Sequence, residues 1–285
     1  MQRSKLIPYT FLLPYLLIFI LFWAWPIINS FYLSFVDTRS FPNAFEPGAN
    51  WGRLVGDPFF WEAFWNTCLI LFVQVPVMLA LATALAVSLN SPLLKLRAFF
   101  RFAFFAPVVV GSVAYSAVFR LLFNNQNGAV NVALGGLGLP TPDWLNTPGP
   151  ALFLIMLTVT WRWTGYNAII ILAGLQNVPL ELYEAAKLDG ANAWQQFWSI
   201  TVPILRPILL FAFVLSVIGT MQLFTEPFLI TQGGPGNATL TLGVYLYEQG
   251  FRNFNFGYAS AIGYTIALLA ILFSVMQLRL FGRES

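Results

Sequence analysis

The stretch NVPLELYEAAKLDGANAWQQFWSITVP, residues 177–203, is a polar interruption between two long apolar segments of the chain. Apolar segments of similar length recur on both sides of it. A helix needs about 20 apolar residues to cross the hydrocarbon core of a bilayer. Six segments meet that requirement, at about 9–35, 64–89, 98–123, 151–175, 204–230 and 256–281. Because 58% of the residues are hydrophobic and 9% are charged, against about 25% charged in soluble domains, the sequence predicts an all-α membrane protein with six transmembrane helices.

The quoted stretch carries its own helix signals. Pro179 favours a first helical turn, Glu181 suits the positive end of a helix dipole, and Gly190 can adopt the left-handed conformation that ends a helix. A second short helix is predicted over about 192–199, and Pro203 can then begin the next apolar helix. The stretch therefore predicts a helix, a turn and a second helix.

The composition excludes several kinds of site. The chain has no histidine and so lacks the usual general base and the usual zinc ligand. The single Cys68 cannot form an internal disulfide. The net charge of +3 is small, and it indicates basic loops that set topology rather than a nucleic-acid surface. The glycine run at 233–236 follows no strand and precedes no lysine, so it is not a phosphate-binding loop, and we expect no nucleotide site.

The basic residues also predict an orientation. Nine lysines and arginines fall at the two termini, at the second loop and in or beside the 177–203 stretch, and four fall in the alternate loops. By the positive-inside rule, both termini and the 177–203 stretch are expected in the cytoplasm. The apolar run from Pro8 to Phe35 is too long for a signal peptide. We therefore expect a multi-pass protein of the cell (plasma or inner) membrane, with segment 124–150 on the outer face.

The first helix of the quoted stretch suits contact with another surface. Ala185 and Ala186 have small side chains that let a partner approach the backbone closely, and Glu184 offers a carboxylate to an external arginine. The alternative is an amphipathic helix resting on lipid headgroups. From the residues alone, both interpretations stay open.

The spacing in this stretch resembles the EAA signature of ABC importer permeases. It runs Glu184-Ala-Ala, three residues, Gly190, nine residues, Ile200, one residue, then Val202-Pro203, with Val202 where the family usually has Leu. The resemblance implies the ABC importer type I (MetI-like) permease fold. It makes this loop, at about 179–200, the coupling helices that dock in a groove of a cytoplasmic ATPase. The coupling residues that it implies are Glu184, Ala185, Ala186, Asp189 and Gly190.

Three further segments, 50–67, 161–167 and 227–239, resemble the maltose-permease-like branch that handles sugars. The six-helix form is similar to that of the lactose and glycerol-phosphate permease subunits. The resemblance implies a core permease domain of five transmembrane helices over 64–281, preceded by an N-terminal helix and first outer loop over 1–63. The implied partners are a second homologous permease subunit, a cytoplasmic ABC ATPase dimer that holds ATP and magnesium, and an extracytoplasmic sugar-binding protein. No cofactor is expected on this chain itself, and the chain is expected to be a transport subunit rather than an enzyme.

A candidate sugar site lies on the fourth and fifth apolar segments. Polar groups within hydrocarbon are costly and usually functional. Trp163, Tyr166 and Asn167 lie at i, i+3 and i+4 and so share a helix face, combining aromatic faces with a hydrogen-bonding amide as a sugar requires. For any one aromatic, the alternative is packing against lipid or a neighbouring helix. Together with the positions that match sugar-contacting segments of the maltose system by resemblance, the candidate substrate-binding residues are Trp163, Thr164, Gly165, Tyr166, Asn167, Ser216, Gly219, Thr220 and Leu223.

Two other functions remain as alternatives. Glycerol phosphate or another polyol is the alternative substrate, because Arg162 within a span could favour an anion. A secondary transporter is the alternative mechanism, and it predicts coupling carboxylates in the middle of the membrane. The sequence offers Glu226, near the end of a span, and no evident internal repeat.

Overall fold

Helices account for most of the chain. The computed structural model describes residues 7–40, 43–91 and 93–282, so the predicted topology signals at Arg3, Lys5 and Arg283 lie outside the described residues. The α-helices are α1 (Ile7–Phe19), α2 (Trp25–Leu33), α3 (Ala49–Gly56), α4 (Pro58–Asn90), α5 (Arg97–Val109), α6 (Ser112–Leu122), α7 (Ala129–Gly136), α8 (Pro148–Leu175), α9 (Leu180–Leu188), α10 (Ala193–Gln196), α11 (Val202–Met221), α12 (Leu242–Tyr247) and α13 (Phe256–Phe281). Among the described residues, two short strands, β1 (Val36–Asp37) and β2 (Ala44–Phe45), pair antiparallel.

Four helical segments among the described residues are long and apolar enough to cross a membrane: Phe11–Leu33, Pro58–Asn90, Ala193–Met221 and Phe256–Phe281. A fifth is obtained if α5 and α6 are counted together as one broken span. The predicted count of six is therefore not confirmed. The predicted segment 151–175 does form a helix, the 28-residue α8, which is about 42 Å long. Its Trp-Arg-Trp-Thr-Gly-Tyr-Asn sequence makes it more polar than the four segments that qualify.

The predicted third span, 98–123, is bent rather than straight. Its two halves, α5 and α6, meet at 96°. Val110, which follows α5, has extended backbone angles (φ −68°, ψ 133°), and so has Gly111 before α6 (φ −58°, ψ 135°). Pro107 removes a hydrogen-bond donor from the last turn of α5, and glycine is a poor helix former. The helix therefore stops and restarts at this point, in a segment that hydropathy alone reads as continuous.

Two of the helical segments continue through π-helical turns. Ile20–Ala24 joins α1 to α2, and Phe197–Thr201 joins α10 to α11. The predicted second helix of the 177–203 stretch is therefore not separate from the following membrane helix, because Ala193–Met221 is one continuous helical segment. Pro203 lacks an N–H and would interrupt a regular α-helix. The π-helical turn Phe197–Thr201, just before Pro203, changes the backbone hydrogen-bonding pattern near the missing donor.

The chain divides into two compact units. The first comprises the residues up to Phe60 together with Tyr245–Ala267, and the second comprises Trp61–Val244 together with the residues from Leu268 onward. Within the first unit, the Asp57 carboxylate accepts hydrogen bonds from the hydroxyl of Tyr245 and from that of Tyr258, the latter at 2.6 Å. Burial raises the pKa of Asp57, whereas these hydrogen bonds and those from neighbouring backbone amides lower it. The hydrogen bonds together outweigh burial, so the pKa of Asp57 lies below its ordinary value.

The second unit is built around α8. Gly165 of α8 faces the backbone of α5, where an added Cβ would collide with the carbonyl of Phe104, and Gly174 faces the side chain of Ile208 on α11. Small residues let helices approach closely in a membrane. These two glycines therefore bring α5 and α11 against α8, which places the polar centre of α8 beside α11.

Candidate functional site

A cavity of about 400 Å³ lies in the second unit between α4, α8 and α11. Its volume falls within the range of small-molecule sites, about 300–1,000 Å³. Its wall is formed by Gln74, Val75, Met78, Val159, Arg162, Trp163, Tyr166, Asn167, Leu215, Ser216, Gly219, Thr220, Gln222, Leu223, Phe224, Thr225 and Glu226. The lining mixes aromatic, aliphatic and hydrogen-bonding groups, as a site for a polar organic molecule requires.

Three predicted residues of α8 line this cavity together. The rings of Trp163 and Tyr166 pack edge to face with centroids 5.6 Å apart. The amide of Asn167 donates to the carbonyl of Trp163 at 3.0 Å, and the residue is almost fully buried, at 4% exposure. The i, i+3, i+4 spacing thus produces the shared face that the sequence predicts.

Four predicted residues on and after α11 form another part of the wall: Ser216, Gly219, Thr220 and Leu223. The hydroxyl of Ser216 donates to the carbonyl of Ala212 at 2.7 Å, and that of Thr220 donates to the carbonyl of Ser216 at 2.8 Å. A hydroxyl oxygen has two lone pairs. Both groups therefore remain able to accept a hydrogen bond after donating their protons to the helix.

Two predicted substrate residues do not line the cavity. The hydroxyl of Thr164 donates to the carbonyl of Thr160 at 2.6 Å, and Gly165 faces the backbone of α5. Successive residues of an α-helix point about 100° apart. Thr164 therefore points away from Trp163, and Gly165 points away from Tyr166. The resemblance to a sugar-contacting segment of the maltose system put them in the candidate set, but their position on the helix separates them from the wall. Their predicted contact with substrate therefore has no geometric support.

Arg162 and Glu226 form an ion pair in the cavity wall that the sequence left unresolved. Nη1 of Arg162 lies 3.5 Å from Oε1 of Glu226. The hydroxyl of Tyr115 on α6 lies between them, donating to Oε1 of Glu226 at 2.5 Å and accepting from Nη1 of Arg162. Glu226, which the sequence places near the end of a span, is buried at 3% exposure.

Two glutamines in the wall were also absent from the candidate set. Gln74 of α4 is buried, and its amide donates to Thr160 Oγ1 at 3.3 Å. Gln222 follows directly after α11. A glutamine within an apolar span such as Pro58–Asn90 is itself a functional signal, because a polar group in hydrocarbon is costly. That signal could have identified Gln74.

The second candidate site is the segment between α8 and α11. Gly190 has a φ of +83° and ends α9 with two hydrogen bonds, from Ala191 N to Ala186 O at 2.8 Å and from Gly190 N to Lys187 O at 3.1 Å. This pair of bonds is a Schellman cap. Asn192 then caps α10, exchanging hydrogen bonds with Gln195 at 2.8 Å and 2.9 Å. The turn and the second helix start are thus both fixed by local chemistry.

The predicted coupling residues of this segment lie at the surface. Glu184, Ala185, Asp189 and Gly190 are exposed, and Ala186 is partly buried. Large apolar side chains are exposed beside them, with Leu188 at 90% and Trp194 at 68% exposure. One described side-chain bond ties α9 to the next helical segment, between the hydroxyls of Tyr183 and Thr201 at 2.9 Å. The segment therefore presents an apolar surface with exposed carboxylates at Glu181, Glu184 and Asp189, suited to contact with another surface.

The sequence model of the family described as "Binding-protein-dependent transport system inner membrane component" matches residues 48–283. The matched range covers both the cavity wall and the α9–α10 segment. The chain belongs to this family. It is thus an inner membrane component of an ABC importer, a transport subunit rather than an enzyme.

This inner membrane component is similar to several characterised permeases. It is 42% identical over 273 residues to the lactose transport system permease protein LacF of Rhizobium radiobacter, covering 94% of this chain and 91% of that protein. It is 38% identical over 281 residues to the arabinooligosaccharides transport system permease protein AraP of Bacillus subtilis, covering 98% and 90%. The fold matches a chain in the crystal structure of a bacterial ABC transporter involved in import of the acidic polysaccharide alginate, with a TM-score of 0.88 at 21% identity, covering 99% of this chain and 97% of that one. The predicted type I permease fold is confirmed.

Proposed function

We propose that this chain is one permease subunit of an importer for a saccharide that an extracytoplasmic binding protein delivers. The relatives LacF and AraP are named for the transport of lactose and arabinooligosaccharides, and a third, from Thermococcus litoralis, is named for trehalose and maltose. The observation that carries the proposal is the cavity wall, where Trp163 and Tyr166 lie beside amides and hydroxyls. Sugars offer C–H faces to aromatic rings and hydroxyls to polar groups, so this mixture suits them.

In this proposal, other chains hydrolyse ATP and form the second half of the translocation path. A second homologous permease completes the translocation path, and a cytoplasmic ATPase dimer binds ATP and magnesium and docks on α9 and α10. The exposed apolar surface around Leu188 and Trp194, with Glu184 beside it, supports such docking. Both chain termini and the α9–α10 segment then lie in the cytoplasm.

Reconstitution tests the transport proposal. The chain is co-purified with the second permease, the ATPase and the binding protein that the proposal requires, and the set is placed in proteoliposomes. Uptake of radiolabelled lactose, maltose, trehalose and arabinotriose is measured with and without ATP and binding protein. We expect uptake of at least one sugar by the full set and none by this chain alone. ATP-independent uptake by the single chain would contradict the proposal.

Cysteine labelling tests the orientation separately. In a Cys68→Ser background, cysteines are introduced at Leu188, the last residue of α9, and at Leu137, after α7, which are both exposed. A membrane-impermeant maleimide added to intact cells should label the Leu137→Cys variant and leave the Leu188→Cys variant unmodified until the cells are opened. The reverse pattern would invert the proposed topology.

A further inference from the structure

The charge in the cavity is balanced within the chain. Of the residues that line it, Arg162 and Glu226 are charged, and they pair at 3.5 Å. The other polar lining groups are uncharged amides and hydroxyls. The net charge contributed by the described lining residues is therefore zero. Without Glu226, Arg162 would make the wall positive.

The two charges are not equally accessible. The side chain of Glu226 is 4% exposed and that of Arg162 is 18% exposed, so Glu226 is the more covered of the two residues. Nη1 is the nitrogen that contacts Tyr115 and Glu226, and Nη2 makes no hydrogen bond with the part of the chain that the structure describes. Arg162 thus keeps a donor group available, but its positive charge is already compensated.

Three elements hold this arrangement in place. Tyr115 of α6 bridges the pair, the guanidinium carbon of Arg162 on α8 lies 4.8 Å from the centre of the Tyr115 ring, and Glu226 directly precedes the π-helical turn Pro227–Thr231. Removing one partner of a buried pair leaves an uncompensated charge, which is costly. The pairing is therefore a built feature of the wall.

We propose that Glu226, by neutralising Arg162, keeps this cavity selective for neutral saccharides over acidic ones; this inference rests on the proposed function. The guanidinium can donate to sugar hydroxyls. A carboxylate or phosphate on the ligand would lose its hydration on entry, and the attraction from Arg162 would be offset by repulsion from Glu226. Specificity of this kind comes from the repulsive element as much as from the attractive one.

The fold does not dictate this selectivity, since a transporter of the same fold is involved in import of the acidic polysaccharide alginate. The side chains in the wall must decide it. The same argument disfavours glycerol phosphate, the substrate that an unpaired Arg162 would have favoured.

Direct binding to the permease tests the inference. The complex of this chain with its partner permease and ATPase is placed in lipid nanodiscs without the binding protein, so that the selectivity of the cavity is measured apart from that of the receptor. Equilibrium dialysis gives the Kd of radiolabelled lactose, maltose and trehalose, and of each sugar oxidised to a carboxylate at one C6. Each pair differs by one acidic group.

The variants are chosen to separate charge from structure. Glu226→Gln leaves Arg162 uncompensated, whereas the double variant Arg162→Gln/Glu226→Gln keeps the wall neutral. Glu248→Gln is the matched control, because Glu248 pairs with Arg252 at a similar 3.6 Å but does not line the cavity.

We expect the wild type to bind the neutral member of a pair about tenfold more tightly or better, and Glu226→Gln to shift that ratio by about tenfold toward the acid, as a net unit charge at close range requires. Glu248→Gln and the double variant should keep the preference for the neutral sugar. Equal or tighter binding of the acids by the wild type would overturn the inference. An unchanged ratio of neutral to acidic binding in Glu226→Gln would also overturn it. If Glu226→Gln does not assemble, loss of the preference for the neutral sugar in the double variant would overturn it. Wild-type binding of none of the six compounds would instead refute the proposed function beneath it.

Discussion

Replacing Gly190 by valine should uncouple the permease from its ATPase without unfolding the chain. Gly190 has a φ of +83°, a conformation that L-residues rarely adopt, yet nothing lies within 4 Å of the position that a Cβ would take. The cost of the substitution is therefore backbone strain rather than a collision. Because the residue is exposed, the transmembrane helices should be unaffected.

The magnitude follows from the two ways in which the turn can respond. Holding an L-residue in the left-handed region costs about 1–2 kcal/mol, and more for a β-branched residue. If the turn rearranges instead, it loses the Ala191–Ala186 and Gly190–Lys187 hydrogen bonds, each worth about 0.5–1.5 kcal/mol. Either response costs about 2 kcal/mol, which lowers the population of the native turn relative to alternatives by about 30-fold.

The assay is co-purification of the ATPase with the permease, followed by ATP hydrolysis stimulated by the binding protein. Gly190→Val should lose most of the stimulation, whereas Gly190→Asn should retain it, because asparagine tolerates the left-handed region. The melting temperature of the chain in detergent serves as the folding control. Equal stimulation in the valine and asparagine variants would show that the Schellman turn has no part in coupling.

Three further changes test other sites. Glu184→Lys should lower co-purification of the ATPase by placing a cation against the basic partner that the EAA resemblance implies, while Glu181→Lys on the same exposed helix should not; equal effects would point to non-specific charge. Trp163→Ala should raise the KM for sugar uptake by about 5- to 30-fold, because about 1–2 kcal/mol of stacking is lost. Trp161→Ala, which lies outside the cavity wall, is its control, and an unchanged KM in Trp163→Ala would reject the pocket. Because the folded-state pKa of Asp57 is depressed, its contribution to stability is present above its ordinary pKa and lost as the pH falls through the folded value; melting curves from about pH 6 to about pH 3 should show this loss in the wild type and not in Asp57→Asn.

The sequence predicts best what local chemistry determines. The last membrane helix is predicted at 256–281 and found at Phe256–Phe281, because a long apolar run between polar loops has one stable arrangement in a bilayer. The left-handed Gly190 follows from the end of α9, and the shared face of Trp163, Tyr166 and Asn167 follows from helical periodicity. Each of these features depends on residues close together in the chain.

Contacts between distant residues could not be predicted in the same way. Tyr115, Arg162 and Glu226 come from three separate elements, and no periodicity links them. The 96° bend between α5 and α6 escaped prediction because averaged hydropathy does not register a two-residue break at Val110 and Gly111. Gly165 was assigned to the substrate by resemblance to a sugar-contacting segment, whereas in the structure it admits the backbone of α5.

The continuity of α10 with α11 has a mechanical consequence. From Ala193 at the start of this helical segment to Ser216 in the cavity wall there are 23 residues, or about 35 Å of helix. Hydrogen bonds are maintained through the π-helical turn, so the segment has the geometry of a lever arm. A tilt of about 10° at the α10 end, with the arm turning as one body, displaces its cavity end by about 6 Å. That displacement would change the shape of the wall around Ser216 and Thr220 with no loop in between to absorb it.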